Sequence, residues 1–223
     1  LDARGDGEHI ICFDAAEGVK SWGGIIFMNV KDRENTLAFC RVRNAATGII
    51  CLNSSPQLQS CELTENVTAV KVTGAFSKPQ ITGNVIHNNR GTATIVIAGS
   101  QPVLKENKIQ DNEKEGISIH GAAPTIANNM ITGNRDSGIS VLKSQAVIVE
   151  NNITDNRPFE MIGDLSGESV NAVNNWWGSV RGLDVLGKIK GRINIKSILN
   201  APWPTGKPLA LPILDPVLKG LLT

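Results

Sequence analysis

Apolar residues and asparagines return in this chain every 21 to 23 positions, and that period constrains the fold more than any other property of the sequence. Four segments, Pro56–Asn66, Pro79–Asn89, Pro102–Asn112 and Pro124–Asn134, share one pattern. Each begins with proline, places an aliphatic residue two positions on (Leu58, Ile81, Leu104, Ile126) and another at seven (Leu63, Ile86, Ile109, Ile131), and ends in asparagine. A fifth copy starting at Gln145 keeps Val147, Asn151, Ile153 and Asn156 with one residue inserted. A single repeat of this length cannot bury its own apolar side, so the copies must stack. Inside each copy the apolar residues alternate, as in Val70 and Val72, Ile95 and Ile97, Ile117 and Ile119, and Ile139 and Val141. That is strand periodicity. The expected fold is an all-β parallel solenoid of about seven or eight turns over residues 1–200. A segment rich in proline and leucine, 201–223, follows it and caps the core or docks on a partner.

The asparagines fall in two rows. Cys61, Asn84, Asn107, Asn129 and Asn151 share one position of the repeat, and Asn66, Asn89, Asn112, Asn134 and Asn156 share another. Turns stacked in register about 4.8 Å apart bring identical amides together as hydrogen-bonded ladders. Asparagine also accepts the left-handed bend that a sharp corner needs, so both rows are assigned structural roles. Cys40 lies 21 residues before Cys61, which puts the two thiols at equivalent places on adjacent turns. A separation of about 4.8 Å falls inside the disulfide range of roughly 4.4–6.8 Å. A bridge and a stack of buried thiols both fit.

Three stretches carry a resemblance. Ile10-Ile11-Cys12-Phe13 followed by Trp22-Gly23-Gly24-Ile25-Ile26-Phe27, the central repeats, and Asn174-Asn175-Trp176-Trp177-Gly178-Ser179 together resemble the right-handed parallel β-helix of the pectin-lyase-like superfamily, in its bacterial exported and surface forms. The resemblance implies an extracellular, cell-surface or periplasmic setting. It also implies that Trp176 and Trp177 cover the core where the solenoid ends. The chain opens on Leu1 and not on methionine, so a leader is expected to have preceded it. The superfamily holds lyases, hydrolases, epimerases, adhesins and inert scaffolds, so the resemblance speaks to fold and not to activity.

Several classes of function are disfavoured. The formal net charge is +1, without the concentrated basic stripe that a nucleic-acid binder needs. No run of eighteen apolar residues is present to span a membrane. No paired cysteine and histidine spacing suggests a metal site, and no hydrolase or nucleotide-binding motif appears. No cofactor is expected, except calcium under a lyase reading.

One surface could carry chemistry. The position before the second asparagine row holds Glu65, Asn88, Asp111, Gly133 and Asp155, and the position after it holds Val67, Arg90, Glu113, Arg135 and Arg157. Asp111 and Asp155, two turns apart at about 9.6 Å, reach the far edge of the range for an inverting carboxylate pair. Arg135 lies between them, and Arg90, Glu113 and Arg157 are candidate ligand contacts. A solvated stripe whose acids and bases offset one another fits the same residues. His87 shares an outward polar row with Thr64, Gln110, Thr132 and Thr154 and is expected at the surface. The reading adopted is an exported, non-catalytic scaffold that presents a rigid face to a protein or polysaccharide, or serves within an envelope complex. The alternative is a carbohydrate-active enzyme working from the charged corner.

Overall fold

A computed structural model describes residues 1–30, 35–165 and 167–211. Each repeat supplies three short strands, and like strands of successive repeats pair in parallel without a register shift. Leu58, Ile81, Leu104, Ile126 and Ile148 form one inward column in the first sheet. Leu63, Ile86, Ile109, Ile131 and Ile153 form the column of the second sheet. Val70, Ile95, Ile117, Ile139 and Met161 form that of the third. The three sheets hold nine, seven and eight strands, which makes a parallel β-solenoid of about eight turns. Every side chain in these columns is fully buried. Each aliphatic one contributes about 1.5–3 kcal/mol by leaving water.

Three sharp corners per turn let such short strands close around a core. Single left-handed residues make the bends: Ser60, Gly83, Glu106, Asn128 and Glu150 at the first corner, Glu65, Asn88, Asp111, Gly133 and Asp155 at the second, and Asn53, Gly74, Gly99, Gly121 and Lys143 at the third. A left-handed bend strains most residues by about 1–2 kcal/mol, and at the first two corners the residue that follows offsets this. Asn84 shows how: its Nδ2 donates to Leu58 O at 3.0 Å and to Asn107 Oδ1 at 2.9 Å, while its Oδ1 accepts from Cys61 N at 2.9 Å. Asn107, Asn129 and Asn151 repeat the arrangement, as do Asn89, Asn112, Asn134 and Asn156 at the second corner. The asparagine ladders therefore satisfy buried backbone groups that each bend would leave exposed to an apolar core.

The ladders end in residues that the repeat does not reveal. The first runs on to Asn175, fully buried and accepting from Asn151. The second ends in Glu160, whose Oε2 accepts from Asn156 N at 3.0 Å and Asn156 Nδ2 at 2.7 Å. At the other end thiols replace amides in the first ladder. Cys61 Sγ donates to Leu37 O at 3.3 Å and Cys40 Sγ to Ala3 O at 3.5 Å. All four cysteines are free thiols, and burial pushes the Cys51 and Cys61 thiols up to about 12.

The tryptophan box extends the second sheet by one turn, with Trp176 bridging to Asn152 and Asn175 to Ile198 of the turn that follows. Trp177 is fully buried against the core and Trp176 is half-buried. The other two sheets continue past it through Ile189–Lys190 and Ile193–Asn194, so the box does not mark the end of the winding. A short helix, Gly182–Leu186, intervenes. Pro208–Ala210 then folds back antiparallel on Ser197–Leu199. Ile213 through Leu222, for which the sequence suggests a capping or docking role, lie outside the described residues. No described helix is long and apolar enough to cross a membrane.

Candidate functional site

The second corner brings the charged residues into line. The backbone N–H groups of Arg90, Glu113, Arg135 and Arg157 each donate to the carbonyl of the ladder asparagine one turn earlier, at 2.9, 3.0, 3.2 and 3.0 Å. Asp111, Gly133 and Asp155 occupy the neighbouring row, all left-handed. Asp111 leans over Gly133, where an added Cβ would stand 2.4 Å from its Oδ1. Glycine there makes room for the carboxylate. All six charged side chains are exposed, and among the described residues no ion pair joins any two of them. The offsetting of charge expected from the sequence is therefore not made through direct contacts. Asp111 and Asp155 sit two turns apart on the outer side of a bend, and neither of the two hollows described below is lined by any of the six.

A second charged group, not singled out from the sequence, lies on the outer face of the second sheet. Arg41 and Glu62 are register partners, and Arg41 Nε donates to Glu62 Oε2 at 2.5 Å. His87 Nε2 meets Glu62 Oε1 at 3.1 Å, and Asn88 Nδ2 meets His87 Nδ1 at 3.0 Å. Burial alone would raise the Glu62 carboxyl, but the bonds from Arg41 and His87 outweigh it and hold the group below its ordinary value. His87 stands in the expected outward row with Thr64 and Gln110, and there it is a half-buried member of a closed network. Its repeat signal was available, since Arg41 and Glu62 are 21 residues apart. Both carboxylate oxygens and both ring nitrogens are engaged, which suits a clamp between turns. Among the described residues no three His, Cys, Asp or Glu side chains gather as a metal site.

The third sheet exposes a different surface. In its outward rows Ile26 pairs with Ile50 and then Lys71, and Met28 pairs with Leu52 and then Thr73. Ile26 and Met28 are 58% and 57% exposed, and Phe76, at the adjoining corner, is 79% exposed. Phe76 projects because its corner is longer than the next one. Five residues, Gly74–Lys78, separate Thr73 from Pro79, whereas three, Gly99–Gln101, separate the partner residue Ala98 from Pro102. Beside it lies a hollow of about 550 Å³ lined by Asn29, Val30, Asn53, Ser55 and Phe76. A smaller one, about 300 Å³, follows the same corner over Gly99, Ser100, Gly121 and Ala122.

A family model described as "Right handed beta helix region" matches residues 23–177. No curated protein and no solved structure matches the chain.

Proposed function

Because the chain belongs to the right-handed β-helix family, we propose that it is a non-catalytic scaffold that holds a rigid, partly apolar face toward a protein partner. The observation that carries this reading is the surface on which Ile26, Met28 and Phe76 are exposed, with the half-buried Ile50 and Leu52 beside Ile26 and Met28. Contiguous exposed apolar patches on a folded chain mark interaction sites. A stack of register-locked turns reorganises little on binding, so little ordering entropy is lost. The resemblance to pectin-lyase-like surface proteins, in the opening turns and the Asn174–Gly178 box, supports placing the scaffold outside the cytoplasm or in an envelope complex.

The test is retention of proteins from extracts of the source cells by immobilised chain, compared with a variant carrying Ile26→Ser, Met28→Ser and Phe76→Ser. Specific retention by the parent and its loss in the variant is the expected result. Equal retention by both would remove the patch from the argument. The carbohydrate-active alternative, with Asp111 and Asp155 as carboxylates and Arg135 between them, is tested separately. Polyuronates and neutral polysaccharides are incubated with the chain, with and without calcium. Cleavage abolished by Asp111→Asn or Asp155→Asn would overturn the scaffold reading.

A further inference from the structure

The third corner changes character from turn to turn, and register puts the changes in order. Thr73, Ala98, His120 and Leu142 are register partners, so Gly74, Gly99, Gly121 and Lys143 hold equivalent places on four successive turns. All four are left-handed, with φ of 94°, 57°, 56° and 49°. Space forces glycine only at the first, where an added Cβ would stand 2.1 Å from Asn53 Oδ1. At Gly99 and Gly121 it would meet nothing within 4 Å. Glycine relieves the strain of such a bend, yet Asn53 and Lys143 make it at this same corner with side chains present. The fold therefore admits side chains where these two glycines leave bare backbone.

The result is the 300 Å³ hollow, a trough in the middle of the solenoid that runs from Ala75 across Gly99 and Gly121 to Lys143. Ala75 belongs to the lengthened corner and precedes Phe76, so the corner that closes this end carries an exposed aromatic ring. The other end carries an ammonium group. Three turn spacings separate the two ends, about 14 Å. Lys143 has no ion-pair partner among the described residues, and Asp164 Oδ2 accepts only its backbone N–H, at 3.1 Å. No carboxylate lines the trough, whereas Gln101 and Gln145 add exposed amides. The carbonyls of Gly99 and Gly121 accept no hydrogen bond among the described residues.

These features select an occupant. Carbonyl oxygens only accept, so it must bring N–H or O–H donors. One lysine asks for an anion at one end, and Phe76 asks for an apolar group at the other. An extended peptide meets all three demands, since four residues at about 3.3–3.6 Å each cover the same 14 Å. A polyuronate repeats its acid on every ring and finds a single cation.

We propose that this trough binds an extended segment of a partner protein, with an apolar side chain against Phe76 and a carboxylate against Lys143. This rests on the scaffold reading and supplies the partner's chemistry. The segment donates backbone N–H groups to Gly99 O and Gly121 O, and the two glutamines bond to its remaining polar groups. The charge pair fixes its direction and register.

Random heptapeptides displayed on phage are selected on the immobilised full chain, and fluorescent copies of the enriched peptides are titrated by anisotropy. Enriched peptides should carry an acid and an apolar residue about four positions apart. Gly121→Asn, which fills the trough, and Lys143→Glu, which reverses its charge, should each weaken binding about tenfold or more, while Lys143→Arg should retain it. Both positions are exposed, so these variants should melt with the parent. If Gly121→Asn does not, the two substitutions of Lys143 give the same reading. The proposal is overturned by absence of enriched peptides, by enrichment without an acid, or by binding indifferent to Gly121→Asn and Lys143→Glu. A galacturonate oligomer whose binding is lost in the same two variants would overturn it too, by making a glycan the occupant. Neither variant touches Ile26 or Met28. If both keep partner retention while the triple serine variant loses it, the trough falls and the scaffold reading stands.

Discussion

Replacing Ala122 by serine should stabilise the protein, because Ala122 interrupts a hydroxyl ladder at the third corner. Val30 N–H donates to Ser54 Oγ at 2.9 Å, Ser54 N–H to Ser77 Oγ at 3.2 Å, and Ala122 N–H to Ser144 Oγ at 3.1 Å. The hydroxyls in turn donate to carbonyls: Ser54 to Leu52 O at 3.0 Å, Ser77 to Thr73 O at 2.6 Å and Ser144 to Leu142 O at 2.7 Å. Ser100 stands one turn before Ala122, since Ala98 and His120 are register partners. Its N–H has no acceptor among the described residues, because alanine offers none. A serine at 122 copies the arrangement of Ser144, with His120 O as the carbonyl that receives its proton. One added buried hydrogen bond is worth about 0.5–1.5 kcal/mol net. For a chain of this length that is a rise of roughly 2–4 °C in melting temperature per kcal/mol. Thermal melts of Ala122→Ser against the parent read the gain, and Ala123→Ser, at an exposed position, is the control. Exchange of the Ser100 amide should slow in Ala122→Ser alone. An unchanged or lower melting temperature with unchanged Ser100 exchange refutes the reasoning.

Asn112→Ala removes the acceptor of Asn89 N and Nδ2 and the donor to Ile86 O and Asn134 Oδ1. It should cost about 3–5 kcal/mol in urea unfolding, since several buried groups lose partners together. Asp111→Asn, exposed and still suited to the left-handed bend, should stay within about 0.5 kcal/mol of the parent. Burial raises the Glu160 carboxyl above its ordinary value, against the lowering effect of its bonds from Asn156 and of Lys188. The native state therefore holds that proton more tightly than the unfolded chain, and stability falls as pH climbs from the ordinary glutamate value through the raised one. Glu160→Gln should flatten that decline in melts recorded across mildly acidic to neutral pH, and a parallel decline in the variant would place its origin elsewhere. Alkylation of the native chain should modify Cys12, the exposed thiol, and spare Cys40, Cys51 and Cys61 until denaturant is added.

The repeat was legible because it constrains the same few atoms in turn after turn. An inward aliphatic and a corner asparagine that recur together leave few alternatives to parallel stacking in register. The charged corner was legible for the same reason, since it flanks a ladder position. What escaped were the exceptions. Asn175 follows Asn151 by 24 residues and Glu160 follows Asn156 by four, so neither falls on the period. Phe76 was hidden by compensation. Its turn is two residues longer at the third corner and two shorter at the second, where three residues separate Asn66 from Val70 but five separate Asn89 from Ile95. The total remains 23 and a count of period sees nothing. Ile25-Ile26-Phe27-Met28 reads in sequence like any buried strand. Only pairing shows that it is the end strand of its sheet among the described residues, and only burial that Ile26 and Met28 face outward.

These departures from the repeat are not equivalent, and the difference separates stability from function. Glu160, Asn175 and the ladder thiols replace a repeating residue with another that satisfies the same buried groups, so the fold accounts for them. Phe76 does not fit that description. It sits within the winding and not at an end, requires a lengthened corner, and leaves most of its ring in water. Natural sequences keep local choices consistent with the fold, and exceptions without a structural return concentrate at functional sites. If Phe76 serves the fold, Phe76→Ser should lower the melting temperature by several degrees. If it serves a partner, the substitution should leave the melt unchanged or slightly raised, since an exposed aromatic side chain contributes little burial. Retention of a partner should then be lost. The pairing of an unaltered melt with lost binding is the result the structure leads us to expect, and a destabilised Phe76→Ser would return this residue to the core.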